Sequence, residues 1–118
     1  MCIRDRDTTI RIGVLADFSG PYRDTSGPTS VAAVHQAVED LNLAARNINV
    51  EVIQGDHLNR PDAALALARR WIDTQGVDMI CEVNNSAIAL AVANLVKERN
   101  KVQLCSGAAS SALSGAQC

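Results

Sequence analysis

Asn84-Asn85-Ser86 and Cys105-Ser106-Gly107-Ala108-Ala109-Ser110-Ser111 are the stretches of this sequence best equipped to hold a ligand. Each follows an apolar, strand-like run, and the first also opens an amphipathic helix. Amides, hydroxyls and unpaired backbone N–H groups at such a place attract a carboxylate or a phosphate. The first N–H groups of a helix lack intrahelical partners, and the helix dipole favours negative charge there. Asn84 or Asn85 is expected to cap the helix by accepting from an N–H two or three residues on. One cap does not use three polar residues, so donors remain for an anion. In the second stretch Gly107, Ala108 and Ala109 separate the serines and let a ligand approach the main chain; the competing reading of that tract is a flexible turn.

The other reactive side chains are scattered. His35 lies beside the apolar stripe of a helix, where packing or a solvent edge is the expectation. His57 lies in a loop and is read as orienting it through Asp56 or Asn59, in preference to touching a ligand. Neither histidine has a partner at metal-pair spacing, and Cys2, Cys81, Cys105 and Cys118 lack the short paired spacing of a zinc site, so no metal and no cofactor are expected. Cys81 and Cys105 read as buried thiols, while Cys118 can pair with a cysteine beyond the chain's end. Gly-x-Gly-x-x-Gly, Gly-Lys-Ser/Thr and Gly-x-Ser-x-Gly are absent, which removes most support for nucleotide binding and acyl transfer. With 11 basic against 13 acidic residues and 3% aromatics, no basic groove with stacking platforms is present and nucleic acid is not an expected partner. No apolar run approaches the roughly 18 residues of a membrane span.

Four strands and three helices must position these groups. Thr9–Ala16 begins as alternation and becomes a continuous apolar run, the pattern of a strand covered on both faces. Ser26-Gly27-Pro28-Thr29-Ser30 signals a helix start, and Val31, Val34, Val38, Leu41 and Ala45 recur at the spacing of a helix buried on one face. Val50–Ile53 is the second strand. Pro61 suits a first helical turn, the helix 62–75 sets Ala64, Leu67, Ala68, Trp71 and Ile72 on one side, and Gly76 is a left-handed terminator. Asp78–Val83 is the third strand, 86–99 the third helix, and Val102–Cys105 the fourth strand. The order β-α-β-α-β-α-β calls for an α/β fold, a three-layer open parallel sheet with right-handed crossovers, whose ligand crevice lies outside the carboxyl ends of the strands. Ser106–Gly115 reads as a loop plus the start of a further element. Residues 1–6, Met1-Cys2-Ile3-Arg4-Asp5-Arg6, read as the translation of a sequencing adapter, and both ends of the chain read as cut.

Taken in order, several stretches resemble the amino-terminal part of the branched-chain amino-acid (leucine-binding) type of periplasmic binding protein, the type I substrate-binding component of ABC transporters. They are Ile10-Arg11-Ile12-Gly13-Val14-Leu15 with Ser19-Gly20-Pro21, Ala37-Val38-Glu39-Asp40-Leu41-Asn42, Asp56-His57-Leu58-Asn59-Arg60-Pro61-Asp62, Gly76-Val77-Asp78-Met79-Ile80, Asn85-Ser86-Ala87 and Ser106-Gly107-Ala108-Ala109-Ser110. The resemblance spans Thr9 to Cys118. It implies that 7–118 is a partial amino-terminal lobe, that a second lobe closes over a small amino acid or related organic acid, and that the complete protein is a periplasmic monomer delivering its solute to a membrane ABC permease. Asn85 and Ser86 resemble the family's contact after the third strand, the main chain of Ala108 and the side chain of Ser110 the contact after the fourth, and Tyr22 or Phe18 the residue covering the ligand. The form Asp56-His57-x-Asn59-x-Pro61-Asp62 resembles a subgroup whose ligands extend to aromatic and other organic acids. Two alternatives stand beside this one: a sensory domain of the same fold, and half of an α/β enzyme using Asp17, Asp56 or His57 as acid and base.

Overall fold

The first strand, β1 (Thr8–Ala16), runs through the middle of the sheet, and its burial rises from exposed threonines to the fully buried Val14-Leu15-Ala16 end. A computed structural model describes residues 8–115 of the chain; the hexapeptide 1–6, Cys2 and Cys118 lie outside the described residues. After β1 come α1 (Pro28–Leu41), a 3-10 turn (Leu43–Arg46), β2 (Ile48–Asp56), α2 (Pro61–Thr74), β3 (Met79–Glu82), α3 (Ser86–Glu98), β4 (Val102–Cys105) and a 3-10 turn (Ser111–Leu113). The sheet order is β2-β1-β3-β4 and every pairing is parallel. From β1 the chain steps first to one side and then to the other. That reversal puts a topological switch point between β1 and β3, where the loops leaving two neighbouring strands diverge and open a crevice.

Three layers form because the crossovers put α1 on one face and α2 with α3 on the other. Leu15, Ile80 and Val83 join Trp71, Ile88 and Val92 in the larger core cluster, while Ile12, Val14, Ala16 and Cys81 form a smaller one under Val31 and Val34. Trp71 sets the fit of the larger side. A Cβ on Gly13 would stand 2.5 Å from its ring and one on Gly55 would stand 2.7 Å away, so both strands need glycine where α2 crosses. Pro61 opens α2, and Gly76 follows its end in the left-handed conformation, as its local signals predict.

The first helix departs from expectation. Its apolar stripe predicts burial through Ala45, yet the helix ends at Leu41 and none of its residues is fully buried. Asn42 and Asn47 adopt left-handed φ of 47° and 60° and bracket the 3-10 turn, which breaks the helical period. Val31, Val34 and Val38 are half-buried, Leu41 and Ala45 exposed, and His35 also faces solvent, because α1 has no second helix beside it to close the groove. β2 is longer than the pattern 50–53 because all nine of its residues pair with β1. β3 stops one residue early, because Glu82 and Val83 turn to positive φ. No helix among the described residues is long and apolar enough to cross a membrane.

Candidate functional site

Three acidic residues end the first three strands, and each ties loops together at the carboxyl rim. Asp17 is fully buried and accepts from the backbone N–H groups of Ser19, Gly20 and Tyr22 and from Asn59 Nδ2, at 2.6–3.2 Å. Burial pushes its carboxyl up, but the four donors outweigh that and hold it below the ordinary value, since each favours the ionised form. Asp56 takes the Ser19 hydroxyl at 2.6 Å and the Leu58 N–H at 2.8 Å. Glu82 Oε2 accepts from Ser30 Oγ on α1 and from Ser106 Oγ beyond β4, at 2.8 and 2.9 Å.

Those hydroxyl bonds help fix an unusual backbone. Glu82 has φ of 81° and Val83 of 45°, and a β-branched residue at positive φ is strained. The pair is held by Val83 N–H on Leu15 O, by Ser106 N–H on Glu82 O and by the complete burial of Val83. This turn delivers the polar triplet to the crevice. Asn85 is the helix cap, its Oδ1 accepting from the N–H groups of Ala87 and Ile88. Asn84 points elsewhere, to His57 at 2.8 Å and Ser26 at 3.1 Å.

Asn85 and Ser86, at the start of α3, and Ala108 and Ser110, beyond β4, all lie past the carboxyl ends of β3 and β4, at one end of the sheet. Ser86 Oγ accepts the Ala109 N–H at 3.1 Å and so joins those loops. Ser110 Oγ accepts from Ala112 and starts the last 3-10 turn. Each of these oxygens therefore serves locally. What remains for a ligand is the donor side of the same groups: Asn85 Nδ2 and the hydroxyl protons of Ser86 and Ser110 have no acceptor among the described residues. Such a set suits a carboxylate. Ser110 and Ala108 also line an open cavity of about 790 Å³ along the outer edge of β4, where Gln103 Oε1 is buried without a partner.

Tyr22 is 46% exposed in the loop after β1, whereas Phe18 is half-buried and packs on the smaller core cluster. Of the two covering residues expected from the sequence, Tyr22 is the more exposed. His57 is fully buried; Asn59 N–H, not Asp56, bonds its Nδ1 at 3.0 Å. Asn84, Ser26 and Glu82 belong to the site's framework, and nothing in the sequence signals the bonds they make there, because their partners lie 24 to 58 residues away. Cys81 is buried, and burial together with Glu82 pushes its thiol up to about 11. Cys105 is half-buried and directs Sγ at Val83 O.

Residues 9–118 match the family model described as periplasmic binding protein. The chain belongs to that family. Among solved members, a branched chain amino acid ABC transporter periplasmic ligand-binding protein from Burkholderia xenovorans LB400 is 41% identical, with TM-score 0.88 over 92% of this chain and 29% of that one. A periplasmic binding protein from Burkholderia mallei is 35% identical, with TM-score 0.87 over 95% and 30%. A solute binding protein of an ABC transporter from R. palustris, solved with 4-hydroxybenzoate, is 27% identical, with TM-score 0.66 over 89% and 28%. This periplasmic binding protein chain thus spans about 30% of the length of these relatives. No curated protein matches the sequence.

Proposed function

We propose that residues 7–118 form part of the amino-terminal lobe of a two-lobe, periplasmic solute-binding protein that captures a small carboxylate and delivers it to a membrane ABC permease. The observation that carries this reading is the donor set at the crevice: Asn85 Nδ2 and the Ser86 and Ser110 hydroxyls, on adjoining loops, with their acceptor sides already used. Branched-chain amino acids, named for the B. xenovorans relative, and 4-hydroxybenzoate, bound by the R. palustris relative, share a carboxylate. That shared group is what these donors fit, and the rest of the solute is left to the facing lobe and Tyr22. Closure of the two lobes over the solute then shifts the open and closed populations, which is the signal a permease reads.

Among the described residues, the side chains named above as acid and base candidates are already occupied. Both ring nitrogens of His57 are engaged within the protein, Asp17 accepts four hydrogen bonds, and each Asp56 oxygen has a donor. The reading is therefore non-catalytic capture.

Titration calorimetry on the two-lobe protein tests it, with L-leucine, L-isoleucine and 4-hydroxybenzoate as probes and their methyl esters as controls. At least one acid is expected to bind and its ester to fail. Ser86→Ala and Ser110→Ala are each expected to weaken the acid about tenfold, the loss of one hydrogen bond to a charged group. An ester binding as well as its acid, or wild-type affinity in both variants, would overturn the assignment.

A further inference from the structure

Among the buried polar side chains, His57 links the loop after β2 to the loop after β3, and Asn84 carries that link on to the loop after β1. Nδ1 accepts the Asn59 N–H at 3.0 Å. A donor on that side leaves Nδ1 without a proton, so the neutral ring carries its hydrogen on Nε2, which faces Asn84 Oδ1 at 2.8 Å. Asn84 Nδ2 then donates to Ser26 Oγ at 3.1 Å, and Ser26 Oγ donates to the carbonyl oxygen of Tyr22 at 3.1 Å. The return path is equally complete. Tyr22 N–H and Asn59 Nδ2 both donate to Asp17 Oδ2, at 2.9 and 3.0 Å. Tyr22, Asp17, Asn59, His57, Asn84 and Ser26 therefore form a closed circuit of hydrogen bonds.

The circuit spans the switch point. It links the loop after β1, which carries Tyr22, to the loop after β2, which carries Asn59, and to the loop after β3, which carries Asn85 and Ser86. The polarity of each link is fixed, with Asn59 donating on both sides and Asp17 accepting on both, because the backbone N–H groups and the carboxylate cannot exchange roles. Asp17, His57 and Ser26 are each no more than 1% exposed, so water does not substitute for a broken link without opening the loops.

We propose that His57 is a positioning residue for solute binding: as the Nε2–H tautomer it fixes the third loop against the first two, and so sets the spacing between Tyr22 and the Asn85-Ser86 donors. This role rests on the solute-binding reading above. An imidazole is suited to it because one ring presents an acceptor and a donor on opposite sides at fixed separation. Glutamine can keep the donor near the Nε2 position, asparagine can keep the acceptor near the Nδ1 position, and leucine fills comparable space with neither.

The test combines a spectroscopic readout with binding in the two-lobe protein. Nitrogen-15 NMR of the wild type is expected to show His57 protonated at Nε2 and bare at Nδ1 at neutral pH. With L-isoleucine and 4-hydroxybenzoate as probes, His57→Leu is expected to lose about tenfold in affinity, His57→Gln to recover most of it, and His57→Asn to recover less. Should His57→Leu fail to fold, the ranking of His57→Gln over His57→Asn decides. An Nδ1–H tautomer, a His57→Leu protein that binds like the wild type, or glutamine no better than asparagine would overturn the role. The wild-type titration separates the two levels. If the wild type binds neither these probes nor L-leucine, the solute-binding reading falls and takes this role with it; if it binds and His57→Leu is unchanged, only the role of His57 falls.

Discussion

Against one face of the sheet α2 and α3 lie side by side and bury Trp71, Ile72, Ile88 and Val92; against the other α1 lies alone and buries none of its residues. Both sides are built from apolar residues at helical spacing. On the first, Trp71 meets the bare backbone of Gly13 and Gly55, and the helices pack on each other as well as on the strands. On the second, Ala33, Ala37 and Leu104 border a groove whose floor includes Cys81, and Leu104 remains 55% exposed. The difference teaches that periodicity reports which side of a helix is apolar, while depth of burial depends on how many neighbours close over it. It also shows why the rim is better fixed than the flank. Glu82 clamps the start of α1 through Ser30 at the carboxyl end, and further along α1 no side chain hydrogen-bonds the sheet among the described residues.

The contrast between the faces can be broken by mutation. Trp71→Ala should destabilise the protein by roughly 3–5 kcal/mol, the largest effect, measured by urea unfolding; a loss below about 1 kcal/mol would show that the α2 face is not the tighter one. Val34→Ala, on the α1 face, should cost only about 1 kcal/mol because the side chain is half-buried. Leu104→Ser should change stability by less than about 0.5 kcal/mol, and a larger loss would mean that the groove beside α1 is covered in solution.

A further effect is electrostatic, emerges only in acid and belongs to neither face. The folded-state pKa of Asp17 lies below its ordinary 3.8, so its stabilising contribution is complete above that value and is lost as pH falls through the folded pKa. Acid unfolding monitored by circular dichroism should steepen below about pH 4, and Asp17→Asn should flatten that part of the profile. An unchanged profile would show that the four donors do not favour the ionised carboxylate.

What the sequence made readable is local. The strand-helix alternation, the Pro61 start and Gly76 end of α2, and an asparagine cap on α3 all concern residues within a few positions of one another, although the sequence left Asn84 and Asn85 as equal candidates for that cap. The parallel sheet follows because consecutive strands are separated by helix-length segments. The half-exposed state of α1 was not readable, since its stripe matches that of a helix buried on one face. Nor was the turn at Glu82 and Val83, where β-branched, strand-forming sequence is forced into positive φ by bonds to Leu15, Ser30 and Ser106. The circuit through His57 escaped for the same reason: Asn84 and Ser26 are 58 residues apart and meet only once β1 and β3 are neighbours.

The central claim is that the spare donors of the β3 and β4 loops receive a solute carboxylate. A crystal structure of the two-lobe protein with the tightest-binding acid tests it directly. The account predicts carboxylate oxygens within about 3 Å of Ser86 Oγ and Ser110 Oγ. A carboxylate held by the facing lobe alone, with both hydroxyls pointing to water, would contradict it.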